Sequence, residues 1–184
     1  MAKLRSLLIV FVLVLLPVKS FADQTDPRLP DLFDELKSAA DAGEAAVVEQ
    51  QIWEIWHTAP NEKLQLLMRE GMDAMNHSDL AQARSIFDEM IELAPDYAEG
   101  WNKRATVNYL MQDLPASLAD IAETLRREPR HFGAIAGRGL VHIQSDQLAE
   151  AAEAFEDVLV ISPQNPGSQA NLDAIREALG QRDI

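Results

Sequence analysis

Beyond residue 27, apolar residues recur three and four positions apart, the period of helices that bury one face. The pattern also repeats on a longer scale. Pro95, Pro129 and Pro163 are evenly spaced by 34 residues, and whole columns agree in the same register. Leu67, Trp101 and Ile135 are large and apolar, and Gly71, Ala105 and Gly139 are small. Leu80, Leu114 and Leu148 match, as do Ala83, Ser117 and Ala151, then Phe87, Ile121 and Phe155, then Ile91, Leu125 and Leu159. One triplet would carry little weight. Columns in a single register point to an internal repeat.

Packing explains the columns. A small residue on the first helix of each unit, and an alanine on the second, let the two helices approach closely, while the aromatic column fills the space between units. Proline ends the second helix, because it lacks an amide proton and disfavours helix in the residue before it. Asp79 and Asp113 stand where second helices begin and can accept from free first-turn amides. Pro115 falls inside such a first turn, where a missing amide proton costs little.

The columns resemble the tetratricopeptide repeat (TPR): a bulky residue, a small one, an alanine, an aromatic and a closing proline. The resemblance implies an all-α fold, a right-handed superhelix of antiparallel helix pairs closed by a C-terminal capping helix. It divides the chain into repeats at 64–97, 98–131 and 132–165, a capping helix at 166–180 ended by Gly180, and a tail at 181–184. Residues 29–62 read as a degenerate helical pair, with an apolar stripe through Leu32, Phe33, Leu36, Ile52 and Ile55 but Leu36 and Val48 where small residues belong. Segments such as Ala98-Glu99-Gly100-Trp101-Asn102 and Glu128-Pro129-Arg130-His131-Phe132 look like those of small exported TPR proteins of bacterial envelopes.

The N-terminus bears on location. Lys3 and Arg5 precede an unbroken apolar run from Leu7 to Val18, and Ser20-Phe21-Ala22 offers small residues at the cleavage positions. Residues 1–22 therefore read as a secretory signal peptide cleaved after Ala22, with 23–28 a short linker. The run is shorter than the ~20 residues a spanning helix needs. Retention as an N-terminal anchor is the alternative. The chain carries 30 acidic and 16 basic residues for a net charge of -14, and removing 1–22, with three basic residues and no acid, takes it to -17. That balance, with no basic stripe, disfavours nucleic acid. Cysteine is absent, which removes disulfides and thiol chemistry.

No catalytic constellation is present: no nucleophile elbow, zinc-binding histidine pair, or Walker or Rossmann glycine loop. His131 lies in an inter-repeat turn and His142 on a helix, settings in which a lone histidine is usually structural. No metal, cofactor, catalytic residue or small-molecule substrate is expected. By TPR register the inner helices present Met68, Arg69, Met72 and Met75, then Asn102, Lys103, Thr106 and Tyr109, then Ala136, Gly137, Leu140 and Ile143. Met68 and Met72 could form an adaptable apolar strip or simply pack, and packing is favoured for Met75. Arg69, Asn102 and Lys103 could hold backbone or carboxylate groups of a peptide. The clamp by which some TPR domains grip chaperone tails is missing, since its registers hold Met68, Met72, Lys103, Gly133 and Gly137.

Glu70, Arg104 and Arg138 occupy an inward register where the repeat usually has leucine. Such charges should be paired. Glu70 with Arg104 is the expected structural ion pair, with leucine tolerated at 104, and Arg138 would need Asp120, Glu123 or a helix-end carbonyl. The expectation is a non-catalytic scaffold, assembly factor or chaperone of the cell envelope, periplasmic, holding a neutral or basic polypeptide in its concave groove. A structural subunit that uses its convex or end faces is the alternative, and an enzyme with an unrecognised site a further one.

Overall fold

A computed structural model describes residues 23–182, so the signal-peptide reading and residues 183 and 184 of the tail lie outside the described residues. Among those residues the chain forms nine α-helices and no strand. They are α1 (Leu29–Ser38), α2 (Ala42–His57), α3 (Glu62–Asn76), α4 (Leu80–Leu93), α5 (Ala98–Leu110), α6 (Leu114–Arg127), α7 (Phe132–Gln144), α8 (Leu148–Ile161) and α9 (Pro166–Arg182). Helices α3 to α8 form three antiparallel pairs stacked in chain order, with α9 laid against α8.

Side-chain caps start most of these helices. Asp79 accepts from Gln82 N, Asp113 from Ala116 N, Asn61 from Leu64 N, and Asp41 from Gly43 N and Glu44 N. Within each pair the first helix closes through a left-handed residue, Ser78 (φ 60°), Gln112 (φ 63°) or Asp146 (φ 57°). The following amide then reaches back: Asp79 N to Ala74 O, Asp113 N to Asn108 O and Gln147 N to His142 O, each at 2.9 Å. This is a Schellman closure, three times at the repeat spacing and without a glycine. Gly180 is not such a cap. The helix runs on to Arg182, and no glycine has a positive φ among the described residues.

The small and aromatic columns fit each other pair by pair. A Cβ on Gly71 would lie 2.5 Å from Phe87 Cζ, and one on Gly139 2.7 Å from Phe155 Cζ. In the middle pair the aromatic position holds Ile121, and the small position accordingly carries the methyl of Ala105. Phe87 and Phe155 are fully buried, worth about 1.5–3 kcal/mol each relative to exposure. Successive pairs meet through another register. A Cβ on Gly100 would lie 3.5 Å from Met90 and Ile91, and Val107, Ala134 and Val141 are buried. On α3 the same registers hold Leu66 and Asp73, both exposed, so this end of the stack shows solvent one apolar and one acidic residue. The far end is polar, with Gln169, Asp173 and Arg176 exposed on α9.

Helices α1 and α2 fold back across the stack. Leu29, Phe33, Leu36, Val48, Ile52 and Trp56 share a core with Phe132 and Ile135 of α7 and Val158 of α8. Glu49 on α2 accepts from Ser162 Oγ and Asn165 Nδ2, both at 2.8 Å, and Tyr97 Oη donates to Trp56 O at 2.5 Å. The hairpin thus bridges the three turns that lead into α5, α7 and α9. The bulk of Leu36 and Val48, both nearly fully buried, fits this placement: in a regular pair those positions are small.

Candidate functional site

The inner side of the stack is lined by α3, α5 and α7, and α5 and α7 touch directly. Between them runs a groove of about 180 Å³ bounded by Asn102, Thr106 and Tyr109 on one wall and Gly133, Ala136, Gly137 and Leu140 on the other, with Ala105 and Ile121 among its apolar lining. A Cβ on Gly137 would find only Ile121 Cδ1 within 4 Å, at 3.7 Å, so this glycine keeps the α7 wall low. An apolar cavity of ~150 Å³ holds a benzene-sized molecule, so this groove suits one large apolar side chain.

Three of the sequence-derived candidates, Asn102, Thr106 and Tyr109, are brought together here. The α3 candidates are not. Met68 is buried and packs with Leu64, Phe87, Met90 and Val107. Met75 packs on the same cluster, Met72 is 36% exposed, and Arg69 is exposed outside the groove lining.

Lys103 and Asn102 are engaged inside the protein. Glu99, one turn earlier on α5, is 1% exposed. Its Oε1 lies 3.0 Å from Lys103 Nζ and 3.1 Å from His57 Nε2. Its Oε2 lies 2.9 Å from His131 Nε2 and accepts from Asn102 Nδ2 at 3.1 Å. Burial alone would push the Glu99 carboxyl up, but Lys103 and the His131 and His57 rings outweigh it and hold the group well below the usual carboxylate range. Burial, with Glu99 adding to it, pushes the Tyr97 phenol up. His131 caps α7, its Nδ1 accepting from Ala134 N, and its ring stacks on Trp56 at 4.1 Å and 9°. Trp53 lies against the bare backbone of Gly133: a Cβ there would stand 2.7 Å from Trp53 Cζ2. Lys103 Nζ sits 5.7 Å from the Trp53 centroid.

Arg104 does not pair with Glu70, which is exposed. Its Nε and Nη2 donate to Asp120 Oδ2 (2.9 Å) and Oδ1 (2.6 Å), and its Nη1 to Asp88 Oδ1 (2.7 Å). Asn108 Nδ2 also donates to Asp120 Oδ2, at 2.8 Å. The inward register of α5 faces the second helices α4 and α6, whose carboxylates come nearer than a residue one repeat back on α3. Arg138 follows the same geometry and reaches Asp157 of α8 at 2.7 Å, not Asp120 or Glu123.

Comparison with known proteins agrees with this architecture. A TPR repeat-containing protein of Rhizobium etli is 32% identical over 166 residues, covering 90% of this chain and 81% of that protein. The chain belongs to the tetratricopeptide-repeat family. The tetratricopeptide repeat family model itself matches residues 111–166. Solved TPR structures superpose at low identity. The OM64 TPR domain of Arabidopsis gives a TM-score of 0.60 at 20% identity, covering 62% of this chain and 95% of that domain. MamA gives 0.60 at 18%, covering 82% and 86%. The first TPR of Spaghetti (RPAP3), bound to the HSP90 peptide SRMEEVD, gives 0.62 at 19%, covering 65% and 94%. The TPR fold is that of a protein–protein interaction module.

Proposed function

We propose that this TPR protein is an exported, non-catalytic binding module whose α5–α7 groove receives one large apolar side chain of a partner polypeptide. The groove carries the reading, because it is open and apolar-walled on the inner face of the stack, and the RPAP3 domain of the same fold is bound to an HSP90 peptide. The α9 end of the stack exposes Gln169, Asp173 and Arg176, which argues against docking at that end. The net charge of -17 after residue 22 favours a neutral or basic partner, with association weakened by salt. Export is supported by Lys3, Arg5, the apolar run and Ser20-Phe21-Ala22.

Site-specific photocrosslinking in the native host tests the face. Probes at Thr106 and Leu140 should trap one partner that probes at Glu153 on α8 and Asp173 on α9 do not, and Leu140→Glu should abolish the adduct at Thr106 while leaving the melt unchanged. Adducts confined to Glu153 or Asp173 would place the partner on the outer or end faces instead. N-terminal sequencing of the exported protein should begin at Asp23, and an intact Met1 in a membrane fraction would indicate an anchor.

A further inference from the structure

Helix α2 sits on the inner rim as a ligand would. Glu49, Trp53, Trp56 and His57 stand at i, i+4, i+7 and i+8, a single helix face. Each meets a receiving group of the stack. Glu49 takes the hydrogen bonds of Ser162 and Asn165. Trp53 lies on Gly133, edge-on to Phe132 at 5.3 Å between centroids, Trp56 stacks on His131, and His57 meets Glu99. Most of this receiving surface does not need α2 to hold its shape. Glu99 is fixed by Lys103, Asn102 and His131, which all belong to the stack. The cis fit is also imperfect, since Trp56 Nε1 is buried with no acceptor among the described residues. A ring without an N–H avoids that loss.

We propose that the strip formed by the first turns of α5 and α7 and the α8–α9 turn is a helix-docking site, held in cis by α2 and open in trans to a partner helix with the same face. That face carries a carboxylate, two large aromatic rings and a basic group at i, i+4, i+7 and i+8. The strip adjoins the open groove at Gly133, so a partner helix that displaces α2 can continue into the groove. The inference rests on the inner face being the binding face and adds the partner's chemistry.

The probe is a fluorescein-labelled synthetic peptide of residues 42–58, titrated against the whole protein by anisotropy. In the wild type the cis helix holds the strip, and only the open fraction binds. Trp53→Ala/Trp56→Ala in the protein releases the strip without altering it, so apparent affinity should rise by about tenfold or more, in proportion to the open fraction. The same peptide with both tryptophans replaced by alanine should not bind that variant. Equal affinity for wild type and variant, or binding indifferent to the peptide's indoles, overturns the proposal.

Hydrogen exchange of the wild type decides the matter even where the variant fails to fold. Amides of α1 and α2 should exchange through an opening that leaves α3–α9 protected, and loss of protection in all nine helices as one unit overturns it. Leu140→Glu leaves the peptide titration unchanged, so failure here and failure of the groove reading are seen in separate measurements.

Discussion

Replacing Arg104 by leucine tests what the charged column of the inner helices does. On packing alone the change should be harmless, because leucine is the usual TPR residue there. The geometry reverses that expectation. Asp88 is 46% exposed, so losing its contact costs about 0–1 kcal/mol. The Asp120 side chain is 5% exposed, loses both charge-assisted bonds to Arg104 and keeps only Asn108 Nδ2. Stripping a buried carboxylate of its partner costs about 3–5 kcal/mol. The Arg104 side chain is already 22% exposed, so the added apolar burial of leucine returns on the order of 1 kcal/mol. The net loss is about 2–5 kcal/mol, and at about 2–4 °C per kcal/mol for a domain of this size the melting temperature should fall by at least about 4 °C. Thermal and urea melts followed by circular dichroism measure it. Asp120→Asn in the same chain removes the stranded charge and still accepts from Asn108, so the double variant should melt above R104L. An R104L melt within about 1 °C of wild type, or no recovery in the double variant, would refute the ion-triad account.

Other consequences are equally direct. Because the folded Glu99 carboxyl is depressed, its stabilisation is full above the unfolded value of about 4.3 and is lost as pH falls through the folded value. The stability deficit of Glu99→Gln in urea titrations should therefore be full above about pH 5 and shrink in stronger acid, and a deficit that grows on acidification contradicts it. Gly139→Ala drives a methyl into Phe155 and should cost about 1–3 kcal/mol, whereas Gly180→Ala meets nothing within 4 Å and should gain about 0.5–1 kcal/mol of helix propensity. Gln112→Gly relieves a left-handed non-glycine residue at a Schellman closure, and a melt that moves upward by up to about 1 kcal/mol is expected, with a marked decrease counting against that turn geometry.

The repeat architecture was legible because it is periodic: the prolines, the glycine–phenylalanine columns and the aspartate caps report short-range geometry at one spacing. Arg104 was legible as a buried charge needing a partner but not as a partner of Asp120, because facing Glu70 across repeats and facing the outer helices cannot be told apart from register alone. The role of Lys103 had a visible signal in the four-residue spacing from Glu99, which allows an internal pair on one helix. The seat of α2 was not legible. Tyr97 meets Trp56 at a separation of 41 residues and Glu49 meets Asn165 at 116, outside any periodic relation. Leu36 and Val48, too large for a regular pair, and the 35-residue step from Pro60 to Pro95 were the sequence signs that the first two helices follow a different rule.

A plain solenoid is mechanically a coil spring, since each unit grips only its neighbours and small hinge angles add along the stack. Here the amino-terminal hairpin is fastened at Tyr97, at His131 and Phe132, and at Ser162 and Asn165, successive points along one edge. It works as a splint laid along the coil. With the splint seated, the stack cannot open its curvature at one joint without straining the others, and units far apart in the chain melt together. With the splint lifted, the same helices recover the compliance of a spring, and the shape of the inner face becomes adjustable to whatever is bound in it.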